Sequence, residues 1–236
     1  MDKSLGFSAY DAEKARAEYD AFYRARDFIR LEGAERALIE TIVDRYRLSP
    51  GTPVLDIGCG TGKYTDIFRR LGMQAVGVDL SSEGIARATE RFPETKFQHG
   101  DATQLPFERE SFGLVYASGL SLYNEPNTVA LTNLSSYLES FVRPRGLFFF
   151  AKTSRLTDRP GPRNTRFDYT LESCVNFLSR AEGLTLIEAA AVPPQTFRLS
   201  GALAFHPLAT RVSKILVPAA SLFGKAVRVY VTLRKS

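Results

Sequence analysis

The chain has 236 residues, 44% of them hydrophobic and 24% charged, with a formal net charge of +5. This length and composition are ordinary for one globular domain with a full hydrophobic core. The polar N-terminal segment predicts no secretory signal, and the apolar runs, at about ten residues, are too short to span a bilayer. Cys59 and Cys174 have no metal-ligand spacing, so we expect reduced thiols, no metal site and a cytoplasmic protein.

Helical patterns alternate with short apolar runs along the chain. The predicted helices are YDAEKARAEYDAFYRARDFIR, GAERALIETIVDRYR, KYTDIFRRLG, SSEGIARATERF, TVALTNLSSYLESFV and TLESCVNFLSRAEG. The predicted strands are PVLDIG, QAVGVDL, KFQHGDA, FGLVYASG, RGLFFFAKTS, LTLIEAAAV and AVRVYVTLRK. Strands that alternate with helices predict an α/β fold with a mainly parallel sheet and helices on both faces.

The stretch PVLDIGCGTGK places three glycines, Gly58, Gly60 and Gly62, directly after the first predicted strand. Such a turn lets a ligand approach the backbone, and its N–H groups can receive a polar or anionic group. The spacing differs from the dinucleotide pattern G-x-G-x-x-G, and a P-loop is excluded because Tyr64 follows Lys63.

Two acidic residues end the next strands. Asp79 can accept both hydroxyls of a ribose, and Asp101 in GDA can accept from an adenine amine. The alternatives are a helix cap for Asp79 and a turn role for Asp101. Small residues in YASGL keep the cleft open at the end of the fourth strand.

The segments VLDIGCGTG, VGVDLS, GDATQLPF and FGLVYASG occur in this order within residues 50–155. Together they resemble the class I S-adenosylmethionine-dependent methyltransferases. The resemblance implies a Rossmann-like sheet of seven strands with the last one antiparallel. It also implies S-adenosylmethionine as cofactor, S-adenosylhomocysteine as product, and methyl transfer by in-line displacement to an O, N or C atom.

The resemblance places the glycine turn against the methionine part of the cofactor and Asp56 at its amino group. It places Asp79 at the ribose, Asp101 and Ala102 at adenine, and Ser118 on the methionine side. The cofactor set that it implies is Asp56, Gly58, Gly60, Gly62, Asp79, Leu80, Asp101, Ala102, Ser118 and Tyr23. Tyr19 or Tyr23 would cover the cofactor from an N-terminal lid, although packing on a helix face is the alternative.

We expect a single domain over residues 1–236. Its predicted parts are a helical lid at 1–47, a cofactor-binding core at 50–192, a substrate-cap insertion at 193–224 and a final strand at 225–236. No catalytic residue is assigned. His206 and Tyr123 are weak candidates for a base, with packing as the alternative for both, and His99 is expected to be structural.

The predicted acceptor is a small molecule. Arginines at positions 155, 159, 163 and 166 favour an acidic or phosphate-bearing acceptor, and the apolar residues of 193–224 favour a lipophilic one. DNA is not expected, because no Asn/Asp-Pro-Pro-aromatic segment follows the fourth strand. The basic C-terminal part leaves RNA or a membrane surface open. A nonenzymatic S-adenosylmethionine or nucleoside binder and a nicotinamide-dependent oxidoreductase are rival functions, and the oligomeric state is not predicted.

Overall fold

The computed structural model describes residues 5–7, 10–25, 33–154, 159–160, 167–192 and 227–236. Its helices are α1 (Ala12–Arg24), α2 (Gly33–Arg45), α3 (Lys63–Arg70), α4 (Ser82–Arg91), α5 (Thr128–Glu139) and α6 (Leu171–Ser179). Its strands are β1 (Pro53–Ile57), β2 (Gln74–Asp79), β3 (Lys96–His99), β4 (Phe112–Ser118), β5 (Val142–Ser154), β6 (Arg159–Pro160), β7 (Phe167–Asp168), β8 (Leu184–Val192) and β9 (Val227–Lys235).

Seven of these strands form one sheet in the order β3-β2-β1-β4-β5-β9-β8. The pairs from β3 to β5 are parallel, and β9 runs antiparallel between β5 and β8. The predicted Rossmann-like α/β fold with an antiparallel last strand is therefore confirmed. The strand order reverses at β1, between β2 and β4, and ligands of open α/β sheets bind at this switch point beyond the carboxyl ends of the strands.

Successive side chains of each strand point to opposite faces of the sheet, so the hydrophobic core forms two layers. On one face, α2 and α3 contribute Leu38, Ile42 and Phe68 against Leu114 and Tyr116 of β4. On the other face, α5 and α6 pack on the intervening residues of β4 and β5. Because both faces are covered, the inner strands read as continuous apolar runs such as LFFFA.

Two local differences from the sequence prediction occur after β4. The predicted helix TVALTNLSSYLESFV is wrong at its end, because α5 stops at Glu139 and Val142 pairs with Phe112 in the sheet. A 3₁₀ helix, Ser121–Asn124, and the short β6–β7 pair were not predicted. Lys152 joins these two features, since its Nζ donates to the Tyr123 carbonyl at 2.6 Å and the Phe167 carbonyl at 3.1 Å.

The predicted substrate-cap insertion at 193–224 lies outside the described residues, and the division into lid, core and cap stays a prediction. Across the described ranges, no helix combines the length and the apolar character needed to cross a bilayer.

Phe149→Ala tests the packing of the α2/α3 face. Phe149 is fully buried, stacks on Tyr116 at 5.2 Å between ring centroids, and lies 6.1 Å from the Tyr230 ring. We expect the free energy of unfolding in urea to fall by about 3–5 kcal/mol, because the lost transfer energy adds to the cavity left behind. Val129→Ala, at a side chain 66% exposed, is the control and should change it by less than about 0.5 kcal/mol. Equal effects of the two substitutions would contradict this assignment of the core.

Candidate cofactor site

The turn between β1 and α3 is built from glycines in the left-handed region. Gly58, Gly60 and Gly62 have φ values of 75°, 55° and 79°, which residues with a Cβ rarely adopt. A Cβ on Gly62 would lie only 2.4 Å from Cζ of Phe97. The N–H of Gly58 donates to the Val78 carbonyl at 2.8 Å, which joins the turn to the end of β2. Bare backbone therefore lies at the carboxyl ends of two neighbouring strands.

Asp79, the last residue of β2, fixes this turn through its carboxylate. Its Oδ2 accepts from the N–H of Gly60 at 2.8 Å, and its Oδ1 accepts from the N–H of Ser81 at 2.8 Å. Burial raises the pKa of Asp79 although both N–H groups oppose that shift. The side-chain cap of α4 is Ser81, whose Oγ accepts from the N–H of Gly84. A carboxylate has about four acceptor positions, so Asp79 can still accept from ribose hydroxyls.

A cavity of about 70 Å³ lies beside Asp79 at the carboxyl edge of the sheet. Its walls come from the ends of β1, β2 and β4, from residues after β3, and from α1. Five residues of the predicted cofactor set line it, namely Tyr23, Gly58, Asp79, Leu80 and Ala102. Small-molecule sites usually enclose about 300–1,000 Å³, so this cavity by itself is smaller than a typical one.

A second cavity, of about 310 Å³, lies next to the first, and Tyr10 lines both. Asp101 lines the second cavity, where its Oδ1 accepts from the N–H of Thr103 at 2.8 Å and from the Thr103 hydroxyl at 2.9 Å. Burial, followed by the charge of Asp101 and a hydrogen bond to it, raises the pKa of Tyr10. Asp101 thus makes the hydrogen bonds of a turn residue, and its contact with adenine stays a prediction.

Helix α1 is held over the cavity by a buried acid that the sequence prediction missed. One Asp20 oxygen accepts from the Ser81 hydroxyl at 2.6 Å and from the N–H of Glu83 at 3.1 Å. The other accepts from the Ser82 hydroxyl at 3.3 Å. Burial acts to raise the pKa of Asp20, but these hydrogen bonds outweigh it and hold the pKa below its usual value. The carboxylate of α1 therefore binds the first turn of α4.

Tyr23 covers the glycine turn from the same helix. A Cβ on Gly60 would lie 2.6 Å from the Tyr23 hydroxyl oxygen, and one on Gly84 would lie 3.1 Å from its ring. The absence of side chains at these glycines is what allows the ring to approach. The turn can thus receive a flat or polar group closely, which fits an adenosyl cofactor. Tyr19 and Tyr23 both line the cavity, and the role of either one in covering the cofactor stays a prediction.

Asp56 lies behind the turn rather than in the cavity lining. It is 1% exposed, and its Oδ2 accepts from the Thr65 hydroxyl at 2.7 Å. Burial raises the pKa of Asp56 to about 7, with the charge of Asp79 acting in the same direction and Thr65 opposing it. The carboxyl group is therefore close to half-ionised at neutral pH.

The remaining predicted residues lie apart from the cavity lining. Gly60 and Gly62 belong to the turn but not to that lining, and the Ser118 hydroxyl accepts from Nη2 of Arg228 at 2.6 Å. Tyr10, Asp20 and Arg228 were not predicted as site residues. Spacing alone gives no sign that an acid of the charged helix α1 or a basic residue at the start of β9 is directed inward.

The structure favours a packing role for Tyr123, one of the two weak candidates, and gives His99 a structural contact. Tyr123 is fully buried, its hydroxyl contacts Ser135 at 3.0 Å, and its ring stacks on Phe177 at 5.8 Å. His99 is exposed and its Nε2 donates to the Leu80 carbonyl at 3.0 Å, a structural role. His206 lies outside the described residues. Among the residues that the structure does describe, no cluster of His, Cys, Asp and Glu could hold a metal ion.

Comparison with known proteins agrees with this geometry. Residues 54–141 match the family model described as Methyltransferase domain. An uncharacterized methyltransferase of Synechocystis is 31% identical over 116 residues, which cover 49% of this chain and 54% of the relative. A demethylmenaquinone methyltransferase of Beutenbergia cavernae is 32% identical over 149 residues, which cover 63% of this chain and 60% of the relative.

Among solved structures, a TehB-like SAM-dependent methyltransferase from Corynebacterium glutamicum superposes with a TM-score of 0.57 at 16% identity. It covers 95% of this chain and 98% of the other chain. This likeness shows the fold. Residues 54–141 thus resemble a methyltransferase domain, and the whole chain has the fold of an S-adenosylmethionine-dependent methyltransferase. The alignments span only about half the length of the curated relatives, 54% and 60% in these two cases.

Asp20→Asn tests how α1 is held. An amide has one acceptor oxygen in place of two charged ones, so we expect α1 to detach more often. Loss of charge-assisted hydrogen bonds is worth about 1.5–3 kcal/mol, which predicts at least a tenfold loss of amide protection over residues 12–24 in native-state hydrogen exchange. The control Glu18→Gln changes an exposed carboxylate of the same helix and should leave protection unchanged. Equal protection in both variants would show that Asp20 does not hold the helix.

Proposed function

We propose that this protein transfers the methyl group of S-adenosylmethionine to a small-molecule acceptor and releases S-adenosylhomocysteine. The proposal rests on the glycine turn, which Asp79 holds by accepting from the N–H of Gly60. Tyr19 and Tyr23 of α1 line the cavity beside this turn. When bound, the cofactor supplies an activated methyl group on a sulfonium sulfur. The acceptor supplies the nucleophile, so the protein acts mainly by orientation, which can contribute up to about 7–11 kcal/mol.

Each part of the site has a role in this proposal. Asp79 accepts from the ribose hydroxyls, Leu80 and Ala102 contact the adenine side, and Asp56 attracts the cofactor's ammonium group. Tyr19 and Tyr23 cover the bound cofactor and exclude water. Because positive charge on sulfur disappears as the methyl group moves, a site shielded from water favours transfer.

The acceptor class follows from weaker observations. The Beutenbergia relative is named for a quinone-type substrate, and Leu120 and Leu122 give the cavity apolar walls. The first screen should therefore contain lipophilic acceptors that carry either a hydroxyl group or a nucleophilic carbon atom. Quinols, 2-oxo acids, short carboxylates and a transfer RNA pool, each with labelled S-adenosylmethionine, form a sufficient panel. Transfer to RNA alone would favour the RNA methyltransferase. Tight cofactor binding without any transfer would favour the nonenzymatic binder.

Asp79→Asn tests the ribose contact. We expect S-adenosylhomocysteine and 5′-methylthioadenosine to bind about tenfold to a hundredfold more weakly by calorimetry, because both carry the ribose and lose a hydrogen bond to a charged group. Asp66→Asn changes another buried acid, which pairs with Arg69 and Arg70 away from the cavity. It should reduce stability but leave both affinities unchanged. Unaltered binding by the folded Asp79→Asn protein would contradict the proposed function.

The raised pKa of Asp56 predicts a pH-dependent affinity. The ionised carboxylate attracts the cofactor's ammonium group, so affinity for S-adenosylhomocysteine should rise up to about tenfold from pH 6 to pH 8. The control ligand 5′-methylthioadenosine lacks the amino group and should show no such rise.

Without ligand, the pH dependence of the free energy of unfolding has the opposite sign to the pH dependence of the affinity. An acid with a raised folded pKa stabilises the fold below its unfolded pKa, and this stability is lost as the pH rises through about 7. Asp56→Asn should remove both dependences. A flat affinity profile in the unsubstituted protein would refute the role of Asp56.

A further inference from the structure

A guanidinium group and several hydroxyl groups meet on the α2/α3 face, beside the end of β4. Arg228 is the second residue of β9, and β9 begins at the same sheet edge at which β4 ends. Its Nη2 donates to the Ser118 hydroxyl at 2.6 Å, and its Nη1 lies 3.5 Å from the Thr153 hydroxyl. The next residues along the chain from Ser118, Gly119 and Leu120, line the cofactor cavity. The guanidinium thus contacts the end of β4, the strand that leads into the cavity lining.

Tyrosines from three elements surround this group. Tyr64 follows the glycine turn on α3, Tyr116 precedes Ser118 by two residues on β4, and Tyr230 follows Arg228 by two residues on β9. Burial is the largest cause that raises the pKa of Tyr64 and Tyr116, although the charge of Arg228 acts in the opposite direction. Both phenols are therefore protonated at neutral pH and can donate hydrogen bonds.

The hydroxyl group of Tyr116 is a hydrogen-bond donor of this cluster that is still open to a ligand. Its side chain is fully buried between Phe149, Phe68 and Tyr64. Within the part of the chain that the structure describes, its hydroxyl makes no hydrogen bond of normal geometry. The Ser118 hydroxyl, which already accepts from Arg228, is the side-chain partner that acts on it. A buried hydroxyl left unsatisfied costs about 1–3 kcal/mol, so such a group in a folded protein calls for an explanation. A ligand acceptor atom at this place would provide one.

We propose that Arg228, Tyr116, Tyr64 and Ser118 form a recognition site for one anionic group, a carboxylate or a phosphate, of a molecule bound in the cleft. The inference rests on the proposed function, since it takes the cleft to hold cofactor and acceptor. Guanidinium groups bind carboxylate and phosphate through paired hydrogen bonds, and neutral phenols add donors around the same oxygens. The anion has two sources: the carboxylate of the cofactor's methionine part and an acidic group of the acceptor.

The test compares Arg228→Gln and Arg228→Lys with Arg234→Gln, an exposed arginine of the same strand. The first arm measures the affinities for S-adenosylhomocysteine, which has the carboxylate, and 5′-methylthioadenosine, which lacks it. The second arm titrates inorganic phosphate and benzoate into protein saturated with S-adenosylhomocysteine, followed by thermal shift and calorimetry. Tyr116→Phe removes one hydroxyl from a packed ring and serves as a variant that should fold normally.

The outcomes separate the two sources. If the cofactor supplies the anion, Arg228→Gln weakens S-adenosylhomocysteine at least tenfold, Tyr116→Phe weakens it severalfold, and 5′-methylthioadenosine is unaffected. If the acceptor supplies it, both nucleosides bind as before, while phosphate or benzoate binds the loaded protein and is lost in Arg228→Gln and weakened in Tyr116→Phe. In either case Arg228→Lys retains part of the effect and Arg234→Gln has none.

The proposal is overturned if folded Tyr116→Phe and Arg228→Lys keep every affinity unchanged, or if no anion binds and the carboxylate of S-adenosylhomocysteine adds nothing. A failure of the unsubstituted protein to bind either nucleoside would instead refute the proposed function. Binding of phosphate or benzoate that Arg228→Gln abolishes would still support the anion site in that case.

Discussion

The site depends on the hydrogen bonds between one acid, Asp79, and the backbone. In the β1–α3 turn, Gly58, Gly60 and Gly62 take positive φ values, and their N–H groups donate within the protein, to the Val78 carbonyl, to Asp79 and to the Cys59 carbonyl. Asp79 accepts from the central one, Gly60, at 2.8 Å and from Ser81 at the same distance. The carboxylate thereby sets the turn and the start of α4 in one arrangement. A ligand that binds at this acid also contacts bare backbone.

The charges around the turn are separated by sign. Asp56, Asp79 and Asp20 lie on the side of α1 and the β1 and β2 ends. Burial raises the pKa values of Asp56 and Asp79, and the charge of Asp79 raises that of Asp56 further. Placing buried acids together is unfavourable until a cation arrives. Arg228 lies across the end of β4. A ligand with an ammonium or sulfonium group at one end and an anionic group at the other matches this arrangement, as does a cofactor followed by an acidic acceptor.

Much of the fold could be predicted from the sequence because its signals are local. Local apolar runs predicted all seven strands of the main sheet, and Ser81 and Thr170 cap α4 and α6 at the starts of two predicted helices. The glycine turn and Asp79 were predictable for the same reason, since the backbone there tolerates few other residues. Two-residue strands such as β6 and β7 have no periodicity to detect.

Contacts between distant segments could not be predicted in the same way. Asp20 binds residues that lie 61 to 63 positions further along the chain, and Arg228 reaches a serine 110 positions before it. In sequence both belong to charged segments that suggest an exposed surface. Only the packing of α1 on α4, and of β9 beside β5, shows that these charges are directed inward.

The position of α1 connects binding to movement. Asp20 and Asp79 both bind residues of the α4 start, Asp20 through the side chain of Ser81 and Asp79 through its N–H. With α1 in this place, the cavity beside Asp79 is about 70 Å³, below the volume that small-molecule sites usually enclose. The hydrogen bonds of Asp20 therefore oppose any shift of α1 that would enlarge this cavity. Any change that loosens Asp20 has two opposing consequences: it eases entry, and it weakens the cover that Tyr19 and Tyr23 provide once the cofactor is bound.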